Sequence, residues 1–279
     1  MDTCIENQTA QVKEKKRGIS GSTVKMIAII SMLIDHVGAA IIGRIILNNN
    51  PDITGVKLVD EIGKLGMWIT GHPTSAEQKL LCIYALMRVI GRLGFPIFCF
   101  LLIEGFEHTR NVKKYALRLF AFALISEIPF DLAFFGKPIA MEYQNVFFTL
   151  LIGLLVMMAF RWIQNNAKLN SVLKVIICLA VFAAGIVVAE LLRTDYAGIG
   201  VFCIMCLYLT RKNKVIQTLV GCLSFSWELA ALLAFIPIGF YNGKRGWNIK
   251  YFFYIFYPAH LLILYLIAFA MGLGHLGAF

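Results

Sequence analysis

The first apolar segment of the chain contains three residues whose types and spacing are suited to proton-transfer chemistry. Lys25 stands near its start, while Asp35 and His36 stand deep within it, among residues that are almost all Ile, Met, Leu, Val, Ala and Gly. Because Lys25 and His36 are about three helical turns apart, a helix places them on one face with a rise of roughly 16 Å between them. The pattern predicts a cation at one membrane edge, aligned with a base near mid-depth.

Each of these residues also has a structural interpretation. Lys25 is suited to reach the headgroup level with its ammonium group while its stem stays in the apolar region. Asp35 and His36 are suited to hydrogen bonding with a neighbouring helix. Ionisable residues inside an apolar segment are nevertheless costly, so a functional site is the first hypothesis for the Asp-His pair.

A second apolar segment carries Arg88 and Arg92, which are one helical turn apart and therefore share a face. Arg92 is expected at a depth similar to that of Asp35 and His36. An Arg side chain keeps its charge when buried, so Arg92 needs an acid, a carbonyl or an anionic ligand. A structural Asp35–Arg92 pair and a ligand-binding role are both open. Pro96 is expected to kink this helix and free backbone groups nearby.

Composition identifies the chain as an integral membrane protein. Of its 279 residues, 59% are hydrophobic and only 15% are charged, with a mean hydropathy of +0.76. A soluble domain carries nearer a quarter charged residues and lacks repeated apolar runs of about twenty. The net charge of +10 comes from short basic clusters between the apolar runs. Clusters in such places are typical of the signals that orient a membrane protein, so nucleic acid is excluded as a partner.

The cysteines and histidines provide no convincing metal or disulfide pattern. There are seven cysteines, and all except Cys4 fall inside or at the edge of apolar runs, where free thiols behave as small hydrophobes. Cys203 and Cys206 form a lone pair without a second pair at metal-site spacing. His36 and His260 lack a third ligand at convincing spacing. We therefore predict no disulfide framework and no metal.

The fold class predicted is all-α, a polytopic helical bundle of about eight transmembrane helices in the cell membrane. More Lys and Arg fall in the segments assigned to the cytoplasm than in the external ones, which predicts that both termini are cytoplasmic. The sixth segment is short, so a re-entrant path is the alternative to a full crossing there. The basic loop at Lys244 and Arg245 fits an external position poorly. The eight apolar segments are 25–47, 82–105, 115–135, 145–162, 172–192, 197–210, 215–240 and 250–272.

The domain organisation follows from the same pattern. Residues 1–22 are polar and basic and lack apolar periodicity, so we predict a disordered cytoplasmic tail. Residues 23–279 form the transmembrane domain. The connection over 48–81 is expected outside the cell, where a loop of that length often carries a lid or a binding function.

Polar residues fall within or at the ends of several other apolar segments, more than helix packing requires. Together they predict a water-accessible cavity in the bundle, with His36 and His260 inside it. The additional candidate site residues are Glu127, Asn145, Asp195, Tyr257 and His260.

The chain resembles the TraX family in motifs that occur in order over nearly its whole length after the tail. TraX proteins look similar to a larger group of membrane acyltransferases that modify cell-surface polysaccharides and carry an Arg or Lys, ten intervening residues and a His on the first span. Lys25 and His36 have that spacing. The motifs include Met32-Leu-Ile-Asp35-His36, Gly91-Arg92-Leu-Gly-Phe-Pro96, Ser126-Glu127-Ile-Pro129-Phe, Asn145-Val-Phe-Phe-Thr149 and Tyr257-Pro258-Ala-His260-Leu.

The resemblance implies an enzyme that transfers an acetyl group from cytoplasmic acetyl-CoA. The acceptor is a hydroxyl or amine of a glycan, a lipid-linked sugar or a pilin-like peptide, and these alternatives stay open because family alone does not identify an acceptor. The lipid bilayer is the remaining partner. Acetyl-CoA is expected as acyl donor, without a metal.

The resemblance also suggests a role for each residue. Lys25 is the candidate for holding the phosphates of CoA, with Arg88 as a further cofactor-binding candidate. His36 acts as general base or carries the acetyl group transiently. Asp35 and Arg92 complete the catalytic candidates, because Arg92 can offset charge on a tetrahedral oxyanion unless Asp35 occupies it.

A non-enzymatic transporter or pilus-assembly factor is the alternative class, in which the buried charges form a solute or proton path. Transporters frequently contain inverted halves with broken helices in matching positions. No internal repeat relates residues 25–135 to 145–272, which counts against transport. The spacing of Lys25 and His36 favours acyl transfer, because a proton path needs no cation at the cytoplasmic edge.

Overall fold

The computed structural model describes residues 18–49, 76–247 and 250–278. These residues form an all-helical bundle without a strand, which agrees with the predicted fold class. Most of the predicted tail, and most of the predicted external loop over 48–81, lie outside the described residues. Helix α1 begins at Gly21, two residues before the predicted start of the transmembrane domain.

The first crossing is a single helical path from Gly21 to Asn49, 29 residues long. Helix α1 (Gly21–Val37) begins at an N-cap made by Ser20, whose hydroxyl accepts from the Thr23 amide at 3.3 Å. A π-helical stretch (Gly38–Gly43) follows and leads into α2 (Arg44–Asn49). The widened turns begin at Gly38, two residues after His36, and such π segments are frequent at functional sites.

The second crossing consists of α3 (Ala76–Gly91) and α4 (Gly94–His108), separated by a break at Arg92 and Leu93. Pro96 explains the break, because a proline ring conflicts with the carbonyl four residues earlier, which here is that of Arg92. The kink predicted from Pro96 is therefore confirmed. It places Arg92 where the helical hydrogen-bond pattern is interrupted.

Close packing of α1 on α3 depends on Gly91. A Cβ atom added at Gly91 would lie 2.0 Å from Oδ1 of Asp35, so only glycine admits this carboxylate. The Ser31 hydroxyl fastens the same contact by donating to the Ile90 carbonyl at 2.5 Å. The two helices that carry the predicted ionic residues are thus held together at the depth of those residues.

Four further helices follow in the bundle. Each of α5, α6 and α7 begins at an asparagine N-cap whose side chain accepts from a backbone amide of the first turn. In α7 only Gly185 and Ala189 are buried, so nearly the whole circumference of this apolar helix faces outward, as expected of a helix surrounded by lipid. The four helices are α5 (Val112–Phe135), α6 (Val146–Asn165), α7 (Ser171–Leu191) and α8 (Ala197–Thr210).

The segment predicted to cross over 215–240 instead forms a hairpin that enters and leaves the bundle at the same end. Helix α9 (Lys214–Ser224) leads inward, and a 3-10 helix (Leu229–Ala234) with α10 (Phe235–Gly239) leads back. The Lys214 ammonium donates to the Tyr241 carbonyl at 2.6 Å and so joins the two ends.

The physical reason is length and polarity. Helix α9 has 11 residues and rises about 16 Å, roughly half of an apolar bilayer core. The chain then turns at Trp227 and Glu228, where the carboxylate finds a partner inside the bundle. The sixth apolar segment, for which we considered a re-entrant path, is α8, while the re-entrant path belongs to the segment that follows it.

This hairpin changes the location of the basic loop after it. The Gly21 amide donates to the Lys244 carbonyl at 2.7 Å and the Ser22 amide to that of Arg245 at 3.0 Å, so the loop lies beside the start of α1. Helix α11 (Lys250–Ala270) then runs to the opposite end, where the Ala278 amide donates to the Phe134 carbonyl. The described ends of the chain therefore lie at opposite ends of the bundle, and the predicted location of both termini on one side is not confirmed.

Five helical segments are long and apolar enough to cross a membrane by length and composition, among the residues that the structure describes. They support the predicted class of polytopic membrane protein, whereas the predicted number of eight crossings is not confirmed. The five segments are Gly21–Asn49, Ala76–His108, Val146–Asn165, Ser171–Leu191 and Phe252–Ala270.

Candidate functional site

Two histidines predicted to share a cavity are in direct contact at the centre of the bundle. Nδ1 of His36, on α1, lies 2.7 Å from Nε2 of His260, on α11. The rings are nearly parallel, with an interplanar angle of 4° and centroids 5.0 Å apart. Since the two nitrogens are much closer than the centroids, the rings meet edge to edge through a hydrogen bond. His260 is buried and His36 is partly exposed.

Aromatic side chains hold the histidine pair in place. The edge of His36 contacts Phe134 and Tyr257, with centroids 5.2 and 6.1 Å apart. His260 stacks on Phe256 at 4.7 Å and donates from Nδ1 to the Phe256 carbonyl at 2.7 Å. His36 is midway along the first crossing, about 22 Å from its start. The pair therefore lies near the middle of the membrane path, as predicted.

Lys25 lies apart from the histidines but faces the same helix. Its ammonium group is 5.3 Å from the centroid of Phe253 on α11. Phe253 and His260 are two helical turns apart on α11, so they share a face of that helix. Lys25 and His36 thus both contact α11, and the predicted common face of α1 is confirmed. Lys25 lies at the end of the bundle that also holds the Lys244–Arg245 loop.

The two arginines of the second crossing pair with different acids. Nη1 of Arg88 lies 2.7 Å from Oδ2 of Asp35, and both side chains are largely buried. Nε of Arg92 lies 2.7 Å from Oε1 of Glu228, at the turn of the hairpin. The Asp35–Arg92 pair considered from the sequence is therefore wrong, because Asp35 binds the arginine one turn earlier. Arg88, a cofactor-binding candidate, is occupied by this ion pair at mid-depth.

Asp195 and Tyr196 enter the same region from the loop between α7 and α8. Tyr196 forms a side-chain hydrogen bond with Arg92, and Asp195 interacts electrostatically with it. Arg193 and Tyr196 adopt positive φ angles of 50° and 62°, which non-glycine residues seldom do outside constrained sites. Burial raises the pKa of Asp195 to about 6, and the charge of Arg92 opposes that rise.

Glu127, Asn145 and Tyr257 form the other side of the central region. Asn145 is fully buried, and its amide group donates to the Ala123 carbonyl at 2.8 Å and to the Glu127 carboxylate. Tyr257, also buried, hydrogen-bonds the backbone of Val146. Because the Tyr257 ring also contacts His36, these residues border the histidine pair.

Nine of the ten candidate residues therefore lie in one polar region, which we call the central cluster: Asp35, His36, Arg88, Arg92, Glu127, Asn145, Asp195, Tyr257 and His260. Oδ1 of Asp35 and Oε1 of Glu127 are buried there without a hydrogen-bond partner in the described part of the chain. Buried acceptors of this kind call for water or a ligand. The cluster brings together the polar residues for which a cavity was predicted, and the cavity itself stays a prediction.

Some ionic residues of the interior were absent from the predicted site, among them Glu228, Arg44 and Asp131. Glu228 is the partner of Arg92, and its position inside an apolar run was the signal that could have identified it. Arg44 is fully buried, with Nε donating to the Leu276 carbonyl at 2.8 Å and Nη2 to the Leu132 carbonyl at 3.0 Å. Arg44 therefore fastens the C-terminal segment to α5, which is a structural role.

Two cavities of the described chain lie away from the histidine pair. One, of about 540 Å³, opens beside Lys214 and Tyr241 at the end of the bundle where α1 begins. Another, of about 450 Å³, is lined by Gln144 and Arg193 near the opposite end. Within the described residues, no three His, Cys, Asp or Glu side chains are grouped as a metal site.

These features define a polytopic membrane protein with an intramembrane polar site. The helical bundle has apolar outer surfaces, two interior ion pairs and a pair of hydrogen-bonded histidines at mid-depth. The chain belongs to the TraX family: the family model described as "TraX protein" matches residues 20–268. The resemblance inferred from the motifs is confirmed.

A curated relative supports the same assignment. Over 218 residues the chain is 31% identical to the "Probable fimbrial assembly protein FimC, serogroup H1" of Dichelobacter nodosus, an alignment that covers 65% of this chain and 82% of that protein. No solved structure matches the chain significantly.

Proposed function

We propose that this protein is a membrane-embedded acetyltransferase, which moves an acetyl group from cytoplasmic acetyl-CoA to a hydroxyl or amine of a membrane-linked or surface acceptor. The observation that carries the proposal is the placement of His36. Its imidazole is hydrogen-bonded to His260 at mid-depth, on the face of α1 that also carries Lys25 three turns earlier. Membership of the TraX family, whose motifs resemble those of membrane acyltransferases, supports the same activity.

The proposed orientation puts the start of α1 at the cytoplasmic face. The basic loop of Lys244 and Arg245 lies beside that end, and Arg211 and Lys212 follow α8 there. Positive residues favour the cytoplasmic side. With eight spans the basic loop at Lys244 and Arg245 would be external, whereas the re-entrant hairpin puts this loop at the cytoplasmic face. In this orientation the described C-terminal residues lie at the outer face of the cell membrane.

Lys25 is the proposed contact for the phosphates of CoA, because an ammonium group near the cytoplasmic edge binds anionic oxygen strongly. Arg245 is close enough to Lys25 to interact with it electrostatically, which adds to the positive potential there. From that edge, the extended thiol arm of the donor points along α1 towards His36.

His36 is the proposed general base. It removes the proton of the acceptor hydroxyl or amine as the acceptor atom attacks the thioester carbonyl. The tetrahedral intermediate then collapses, the carbon–sulfur bond breaks, and His36 returns the proton to the departing thiolate. Arg92, whose side chain is 30% exposed despite its pairing with Glu228, is the proposed cation that offsets the oxyanion.

A pilus-assembly factor without enzymatic activity is the second candidate function. The name of the Dichelobacter nodosus relative, a probable fimbrial assembly protein, favours it. In that case the ion pairs of the central cluster hold the bundle together or form a proton path. The same name makes a pilin-like peptide one of the acceptors to be tried for the enzyme, beside glycans and lipid-linked sugars.

The test measures CoA release and label transfer from labelled acetyl-CoA by the purified protein in lipid vesicles, with cell-envelope extract as the acceptor pool. We expect His36→Ala to lower the rate by about 10²–10⁴-fold, the usual contribution of a general base. Lys25→Ala should raise the KM for acetyl-CoA more than it lowers kcat, because Lys25 is a binding residue.

Matched controls come from exposed residues of the same types. His275→Ala and Lys168→Ala remove an exposed histidine and an exposed lysine and should leave both constants unchanged. If the folded native protein neither binds nor consumes acetyl-CoA, the enzyme proposal is refuted and the assembly factor becomes the function to test.

A further inference from the structure

The hydrogen bonds around His260 determine which nitrogen of each ring carries a proton. The Phe256 carbonyl, 2.7 Å from Nδ1 of His260, has lone pairs and no hydrogen, so Nδ1 of His260 is the donor. A neutral His260 then has its lone pair on Nε2. That nitrogen faces Nδ1 of His36 at 2.7 Å, so Nδ1 of His36 is the donor of the second hydrogen bond.

Both imidazoles are expected to be neutral at rest. His260 is 5% exposed, and Phe134, Phe256 and Tyr257 surround the pair with rings. An unpaired charge buried in such surroundings is costly. The only charged group directly adjacent in sequence, Asp35, is occupied by Arg88 and does not contact the imidazole of its neighbour by a hydrogen bond in the described chain.

We propose that His260 is the positioning residue that holds His36 in the tautomer protonated on Nδ1, leaving the Nε2 lone pair as the only base that His36 offers. The proposal deepens the proposed function, since it assigns the reactive atom of the general base. In the described part of the chain, the hydrogen bond of His36 is made by Nδ1, and the imidazole is partly exposed. The Phe256 carbonyl acts here as the last acceptor of a chain that runs through both rings.

The same series of hydrogen bonds, from His36 through His260 to the Phe256 carbonyl, accommodates the proton that His36 gains. When Nε2 of His36 takes the acceptor's proton, the new positive charge is shared by passing the Nδ1 proton of His36 to Nε2 of His260. His260 then donates from both nitrogens, to Phe256 and to Nδ1 of His36. When the thioester bond breaks, the two protons return in the opposite order, and Nε2 of His36 delivers its proton to the thiolate of CoA.

The experiment is ¹⁵N NMR of the full-length protein, labelled in its histidine rings and reconstituted in lipid. The spectrum distinguishes a ring nitrogen that bears hydrogen from one that does not, and His36→Ala identifies the signals of His36. We expect His36 to be protonated on Nδ1 in the native protein. His260→Leu should abolish this preference, while His260→Gln, which offers a carbonyl oxygen to the same donor, should retain it.

Activity gives a second and separate readout. His260→Leu should lower kcat by about 100-fold or more with little change in the KM for acetyl-CoA, and His260→Gln should recover activity to within about 10-fold of the native rate. His275→Ala should change neither the activity nor the His36 signals.

The proposed tautomer and the proposed enzymatic activity can be refuted by different results. A native protein in which His36 is protonated on Nε2, or a His36 tautomer that His260→Leu leaves intact, overturns the inference whatever the activity. The native spectrum decides the question even if His260→Leu does not fold. Absence of acetyl transfer with the expected tautomer refutes the enzyme alone.

Discussion

Nε of Arg92 and Oε1 of Glu228 are 2.7 Å apart, and this ion pair joins the break between α3 and α4 to the turn of the re-entrant hairpin. Both positions interrupt a helix, so each presents a charged side chain from a point where the backbone is least regular. Tyr196 adds a hydrogen bond to the same guanidinium. Three separate segments of the chain thus meet at Arg92.

The first prediction concerns this pair. Glu228→Gln should lower the free energy of unfolding by about 1–3 kcal/mol, because Arg92 loses a charged hydrogen-bond partner in a largely buried position. A double-mutant cycle with Arg92→Met, measured by unfolding in detergent, should give a coupling free energy of at least about 1 kcal/mol. Glu142→Gln, which breaks an exposed pair with Lys137, is the matched control and should change little. Strictly additive effects of the two variants would contradict the pairing.

The second prediction concerns Asp35 and Arg88. Their side chains are only 15% and 11% exposed, so Asp35→Leu leaves a buried guanidinium without its carboxylate and should cost about 3–5 kcal/mol in unfolding free energy. Adding Arg88→Leu should recover much of that loss, because the buried charge that lost its carboxylate is removed with it. A double variant that is less stable than Asp35→Leu alone would show that Arg88 serves another essential partner.

The third prediction concerns Arg44, which supplies hydrogen bonds to the carbonyls of Leu132 and Leu276. Arg44→Met should destabilise the protein by about 2–4 kcal/mol, since two partly buried carbonyls lose their hydrogen bonds to a fully buried guanidinium. The C-terminal segment should also become more sensitive to carboxypeptidase. Arg110→Met, at an exposed position, provides the control. Unchanged protease resistance of Arg44→Met would argue against this fastening role.

The fourth prediction tests the orientation of the bundle. In a background whose natural cysteines are replaced, Lys244→Cys and Lys212→Cys should react with an impermeant thiol reagent only when it is supplied at the cytoplasmic face. His275→Cys should react only from the outer face. All three positions are exposed, so burial does not account for a missing reaction. Labelling of Lys244→Cys and Lys212→Cys from opposite faces would contradict the hairpin and indicate that residues 215–240 cross the membrane fully.

The fifth prediction concerns pH and Asp195. Burial raises the pKa of Asp195 to about 6, above its ordinary value of 3.8, so the folded protein binds this proton more tightly than the unfolded chain. The associated stability is fully present below pH 4 and is lost as the pH rises through 6. Asp195→Asn should therefore gain about 2 kcal/mol relative to the native protein between pH 4 and pH 8. Parallel stability curves for the two proteins would exclude the raised pKa.

The sequence alone was sufficient to determine the membrane class, the all-helical fold and the residues of the central cluster. Long apolar runs have few structural solutions in a bilayer, and an ionisable residue inside such a run is conspicuous because burial of its charge is costly. Lys25 and His36 could be placed on one face by helical periodicity, and Pro96 located the break before α4. These are local properties of the chain.

Only the tertiary structure decided which partners these residues have and which way the chain runs. Asp35 binds Arg88 rather than Arg92, because Gly91 admits its carboxylate at one register of α1 against α3. Residues 215–240 have the hydropathy of a span, yet they return to their starting end because Glu228 meets Arg92 inside the bundle. His260 meets His36 across more than two hundred residues. Such pairings depend on how helices that are distant in sequence pack together, and hydropathy and periodicity describe only residues that are near each other in the chain.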